Sequence, residues 1–223
     1  MTLSLLLHSK TGPSPSRLRA GAPPEKRRAP FEFYPTPPAA TRALLSAERF
    51  DGSIWEPACG NGAIAREMIA SGYDVTATDI ADWGYGTPHC DFLSADAPRG
   101  RNIVTNPPYG YGLADAFVRQ ALRFTAQTGG RVAMLMNIAS LCHPSRHGSF
   151  MRKPPSVIYA LDECVCFPLG DPALASRYTL QHRYAWLIWD HGPIGPTAFR
   201  WLSTIPFKTG ILSKIAQQKG EPS

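Results

Sequence analysis

The stretch "NIVTNPPYG", residues 102–110, is a short apolar run that ends in Asn106, Pro107, Pro108 and Tyr109. Consecutive prolines fix φ, restrict the residue before them and remove N–H donors. The Asn106 side-chain oxygen and the Pro107 carbonyl are then two acceptors aimed in advance, with the Tyr109 ring beside them. That set suits a planar group carrying an exocyclic amine. The lone pair of such an amine is spread into the ring, and it becomes nucleophilic when acceptors hold both N–H bonds around a tetrahedral nitrogen. No strong base is needed before attack, because the proton can leave afterwards. A strand that merely ends in a proline turn would use the same residues, so the upstream signals decide between the two.

The first of these is "EPACGNG": Glu56, Pro57, Ala58, Cys59, Gly60, Asn61 and Gly62. Gly60 and Gly62 permit a tight turn and close approach of a ligand to the backbone. Asp79 follows Gly60 by 19 residues, the spacing at which an acid reaches a ribose hydroxyl pair in dinucleotide-type folds. The turn is neither GxGxxG nor a phosphate loop, so the expected nucleoside lacks a pyrophosphate. S-adenosylmethionine meets that description and supplies a methyl on a sulfonium. Asp79 would meet its ribose, and Asp91 and Phe92 its adenine, by hydrogen bond and apolar contact. The competing readings are a cap for Asp79, and turn and core for Asp91 and Phe92.

These residues need elements to hold them. "TPPAATRALLSAERF" reads as a helix opened by Thr36, with Pro37 and Pro38 in its first turn. "SIWEPA" (53–58) reads as a strand, "AIAREMIASG" (63–72) as a helix closed by Gly72, and "YDVTATDI" (73–80) as a second strand. A short strand is expected near Cys90. Leu113, Ala116, Phe117, Ala121 and Phe124 mark an amphipathic helix. "RVAMLMNIA" (131–139) is continuous enough for a strand buried on both faces. "SVIYALDECVCF" and "RYAWLIWD" read as further strands. Within the first, Cys164 and Cys166 would share a buried face. The succession indicates an open, mostly parallel α/β sheet, with ligands at the carboxyl ends of its strands.

The totals fit one domain: 223 residues and 43% hydrophobic content. No apolar run is long enough to span a bilayer, and the five cysteines form no CxxC. A soluble, cytoplasmic chain without a metal site is expected. Residues 1–30 carry a net charge of +5 out of the chain's +6. They are rich in Pro, Gly, Ser and Arg, and read as a disordered basic tail able to hold a polyanion. The catalytic domain is expected over 31–205 and a C-terminal tail over 206–223. "HPSRHGSFMRKPP" (143–155) reads as a basic loop whose Phe150 could stack a base while its cations meet phosphates.

The sequence resembles the S-adenosylmethionine-dependent amino-methyltransferases, and in particular compact phage-type DNA N6-adenine methyltransferases. "FYPTPPAATRALL" is similar to motif X of that family, "WEPACGNGAIAREM" to motif I, "TATDI" to II, "CDFL" to III and "IVTNPPYG" to IV. The order X, I, II, III, IV is that of the gamma group. The resemblance implies a Rossmann-like class I fold of seven strands with an antiparallel C-terminal hairpin, which residues 156–190 would supply. It implies Asn106 and Pro107 at the target amine, Pro108 stiffening the loop and Tyr109 on the target ring. It sets Glu56 to Gly62, Asp79, Ile80, Asp91 and Phe92 around the cofactor, and Thr36 and Pro37 beside its methionine end, with Asn106 bordering both ligands. Only 114 residues follow Tyr109, too few for a separate recognition domain, so limited or short sequence selectivity is implied. DNA is the expected partner. An RNA base is the runner-up, ahead of a release-factor glutamine or a non-catalytic nucleic-acid-binding protein. Oligomeric state is not legible.

Overall fold

The structure is a computed structural model, and it describes residues 28–208. Most of the expected basic tail, and the C-terminal segment beyond Lys208, lie outside the described residues.

Seven strands form one sheet: β1 (Ile54–Glu56), β2 (Val75–Ala77), β3 (Asn102–Thr105), β4 (Val132–Asn137), β5 (Val157–Leu161), β6 (Tyr184–Trp189) and β7 (Ala198–Leu202). Their order across the sheet is β2-β1-β3-β4-β6-β5-β7. β1 pairs in parallel with β2 and β3, and β3 with β4. β6 runs against both β4 and β5, and β7 returns parallel to β5. This is the expected mostly parallel sheet with an antiparallel hairpin near its C-terminal end. The seventh strand, however, is β7 and not a strand near Cys90. Beyond β2, the chain makes only an isolated bridge between Thr78 and Thr87, and then a 3₁₀ turn at Phe92–Ser94.

Among the described residues, five α-helices accompany the sheet: α1 (Pro38–Ala47), α2 (Ala63–Ala70), α3 (Leu113–Thr128), α4 (Pro144–Arg152) and α5 (Arg177–Gln181). α1 starts later than expected. Pro37 occupies the cap position, no side chain caps the helix, and the Thr36 hydroxyl is not used there. Strand alternation sends side chains to two faces. Leu44, Ile64, Met68, Val104, Leu135 and Trp186 fill one side, under α1 and α2. Trp55, Phe92, Phe117, Phe124, Met134 and Leu187 fill the other, under α3. β6 is buried at every position. Its Trp186 indole N–H donates to the Ala40 carbonyl at 2.9 Å, which ties the sheet centre to α1.

Two sequence expectations change here. Residues 144–152 form a helix and not a basic loop. Its Arg146 is buried and ion-paired with Asp115 at the start of α3, and Phe150 packs edge-on against Trp189. Arg146 is therefore not free to meet a phosphate, Phe150 is half-buried against the core, and Arg152 at the end of the helix stays exposed. Cys164 and Cys166 are both buried, as expected, but they lie beyond the end of β5 on irregular chain.

Candidate active site

Chain order sets the location. After β1 the chain moves to one side to form β2, and then crosses to the other side for β3. The switch therefore falls between β1 and β3, where a parallel sheet opens a crevice at its carboxyl edge. Glu56 ends β1, and Asn106 directly follows β3.

The Gly turn joins β1 to α2. Gly60 and Gly62 have φ of 52° and 80°, in the left-handed region that a Cβ disfavours. Space is the second reason for glycine. A Cβ on Gly60 would come within 2.5 Å of the Phe33 ring, and one on Gly62 within 2.5 Å of the Tyr85 ring. Phe33 stacks on Trp83 with ring centres 4.1 Å apart, and the Arg66 guanidinium lies 4.5 Å over Tyr85. Phe33, Trp83 and Tyr85 thus cover the turn. Sequence reasoning passed over them; the signal was "DWGYG", two aromatics spaced by glycine in a loop just after the acid.

The Asp79 spacing becomes a contact. Its carboxylate accepts the Gly60 N–H at 2.8 Å and the Ala81 N–H at 2.9 Å. The acid shapes the Gly turn, and each oxygen keeps capacity for another donor. Glu56 is buried, and its Oε2 has no hydrogen-bond partner among the described residues. Desolvation pushes its carboxyl well above the ordinary value, against a smaller opposing pull from the Ala65 N–H. Burial, followed by the nearby Glu56 and Asp79, pushes the Cys59 thiol up to about 12. The Thr36 and Thr105 hydroxyls are likewise buried without a partner. Unpartnered polar atoms on three segments around one crevice are what a polar ligand would satisfy. Pro57 is buried, Ala58 partly so, and Asn61 and Ile80 are exposed at the rim.

Asn106 is fixed from both ends of its carboxamide. Its Nδ2 donates to the Tyr34 carbonyl at 2.9 Å, and its Oδ1 accepts from the Tyr109 hydroxyl at 2.6 Å. That hydroxyl also lies 2.8 Å from the Leu135 carbonyl. One proton faces two acceptors, so it can serve either. Tyr109 is partly buried and packs against both halves of the core.

One other expectation is corrected. Phe92 is 2% exposed and its ring packs against Trp55, Phe117 and Phe124, which leaves that ring no open face for an adenine. Asp91 is exposed and caps its own 3₁₀ turn, accepting from the Leu93 N–H and the Ser94 hydroxyl, and like Asp79 each of its oxygens keeps capacity for another donor. The burial of Phe92 goes with the missing strand near Cys90: without it, the chain turns at once and drives Phe92 into the core. Thr36, Glu56, the Gly turn, Asp79, Asn106 and Tyr109 are brought to one edge of the sheet.

Comparison with solved structures bears on the fold. A proposed class I S-adenosylmethionine-dependent methyltransferase from Listeria monocytogenes superposes with a TM-score of 0.52 at 14% identity, over 89% of this chain and 72% of that one. The fold is that of the class I methyltransferases. The same score relates this methyltransferase fold to a modification subunit of a proposed type I restriction enzyme from Vibrio vulnificus YJ016, at 17% identity over 76% of this chain. There the chain spans only 47% of its neighbour. A proposed RNA methyltransferase from Pyrococcus horikoshii also scores 0.52, at 13% identity, over 72% of this chain and 88% of that one. No family profile and no curated protein sequence matches the chain.

Proposed function

We propose that this protein is a methyltransferase that uses S-adenosylmethionine to methylate the exocyclic N6 amine of adenine in DNA, with limited or short sequence recognition. The observation that carries the proposal is the fixed Asn106 carboxamide at the strand switch, at the same carboxyl edge as the Gly60–Gly62 turn.

The crevice residues fit the cofactor. Bound there, it would supply a methyl on a sulfonium. Glu56 offers a buried, unpartnered carboxyl oxygen to a cationic ligand, and Asp79 offers spare acceptor capacity to hydroxyls. Thr36 and Pro37 border the methionine end. Phe33, Trp83 and Tyr85 exclude water from above the turn, which strengthens each electrostatic contact inside.

Asn106 Oδ1 and the Pro107 carbonyl accept the two N–H bonds of the target amine, and Pro108 keeps the second acceptor from wandering. Tyr109 orients Asn106. When a target N–H reaches Oδ1, the Tyr109 proton can turn to the Leu135 carbonyl, so no group is left unsatisfied. A target base must leave its stack to enter such a crevice. The restriction-enzyme neighbour favours DNA and the Pyrococcus neighbour favours RNA as the alternative.

The test is to offer purified protein tritiated S-adenosylmethionine with unmethylated genomic DNA and, separately, total RNA, and to identify the labelled nucleoside. Label in N6-methyldeoxyadenosine supports the proposal. Label confined to RNA keeps the chemistry and replaces the substrate. No label in either removes the nucleic-acid reading.

A further inference from the structure

Three strained segments meet around Asn106. Among the described residues, five non-glycine residues have φ in the left-handed region, and apart from His89 (60°) they are Phe31, Glu32, Tyr111 and Leu169, at 51°, 58°, 54° and 52°, a costly region for any residue with a Cβ. The segments are tied together. The Glu32 carboxylate accepts the Gly110 N–H at 3.2 Å, and the Phe33 carbonyl accepts the Leu169 N–H at 3.0 Å. Between these ties, the Tyr34 carbonyl holds the Asn106 amide.

The same segments hold apolar side chains out in water: Phe31 is 58% exposed, Tyr111 79% and Leu169 43%. None of the three belongs to either half of the core, and the ring of Phe31 meets Trp83 edge-on at 6.2 Å, beside the cover of the Gly turn. Arg28, paired with Glu32 at 2.7 Å, lies within electrostatic reach of both Tyr111 and His182 and gives the rim a cation. Tyr109 has its hydroxyl spent on Asn106 and Leu135 and packs on the core. Tyr111, two residues later and flanked by Gly110 and Gly112, is the ring that stands free.

We infer that Tyr111 is the residue on which a nucleobase of the substrate strand stacks, with Phe31 and Leu169 completing an apolar rim around the turned-out base. The inference rests on the proposed nucleic-acid substrate and assigns a substrate-holding contact to that same site. A free aromatic face is sequence-tolerant, which agrees with short or limited recognition. Strain is the structural signature of the assignment: glycine would relax residue 111, yet a tyrosine stands there.

The test measures binding of a short fluorescein-labelled single-stranded oligodeoxynucleotide by anisotropy, S-adenosylhomocysteine binding by calorimetry, and thermal melting. Tyr111→Gly should lose about tenfold in oligonucleotide affinity without melting earlier, since glycine accepts the backbone conformation. Tyr111→Asn, which tolerates the left-handed region without supplying a ring, should lose affinity equally. Tyr111→Phe should bind like the wild type. All three should keep wild-type affinity for S-adenosylhomocysteine. Unchanged oligonucleotide binding in the Gly and Asn variants overturns the inference, as does an equal loss in the Phe variant. A wild-type protein that binds S-adenosylhomocysteine but neither DNA nor RNA oligonucleotides overturns the substrate reading itself, and that failure is visible before any variant is made.

Discussion

The Tyr109 hydroxyl lies 2.6 Å from the Asn106 side-chain oxygen and 2.8 Å from the Leu135 carbonyl, so one proton bridges the strand-end loop and the middle of the sheet. Tyr109→Phe deletes that bridge and little else. A stability loss of about 1–2 kcal/mol is expected from two acceptors left without a donor. Turnover should fall about tenfold, because a positioned hydrogen-bond acceptor becomes mobile. S-adenosylhomocysteine affinity should be unchanged; parallel loss of cofactor binding would show that Tyr109 shapes the cofactor crevice instead.

Asn106 and Asp79 should separate into two kinetic phenotypes. Asn106→Ala removes an acceptor that matters most in the transition state, and turnover should drop by about a hundredfold or more. Asp79→Ala frees the Gly60 N–H and unfixes the turn, so its main effect should be weaker cofactor binding. Steady-state kinetics with calorimetry distinguishes them, and full turnover in Asn106→Ala would remove the role assigned to that residue.

Glu56 gives a pH dependence with a defined sign. Burial raises its carboxyl above the ordinary value of 4.5, so the folded protein holds this proton to higher pH than the unfolded chain does. The folded state binds more protons, and the Glu56 contribution to stability falls as pH rises from 4.5 through the raised value. Glu56→Gln cannot ionise. It should melt above wild type at neutral pH, with the gap closing in acid, and should bind the cationic cofactor more weakly. Melting curves across pH check the first part; a gap that widens in acid would contradict the assigned sign.

Arg131 tests what holds the crevice in place. It pairs with Glu48 just past α1 at 2.8 Å and with Asp190 after β6, and also donates to the Arg49 carbonyl. Tyr159 shares Glu48 at 2.7 Å. Arg131→Ala strands two partly buried carboxylates and should cost about 1–3 kcal/mol in denaturant unfolding. Cofactor affinity should survive, because the pair lies at the opposite edge of the sheet from the Gly turn.

The sequence alone determined β1 to β4, α2 and α3, and marked the candidate site residues between them, but not the 3₁₀ turn that stands near Cys90. A continuous apolar run marks β4, periodicity marks α3, glycine marks the turn after β1, and the 19-residue spacing from Gly60 to Asp79 is realised as a hydrogen bond. These signals are local, and one strand or turn suffices to carry each. Tertiary structure decided the rest. Phe92 belongs to the core, and Phe150 packs against it, because α3 and β6 offer them partners that are distant in sequence. The parallel β5–β7 pairing has no local signature, since β6 is threaded between those strands in the chain. The cover of Phe33, Trp83 and Tyr85 over the Gly turn, and the rim bearing Tyr111, exist only where separate loops converge. Side-chain type specified what each residue could do, and three-dimensional neighbours decided which of those uses remained available.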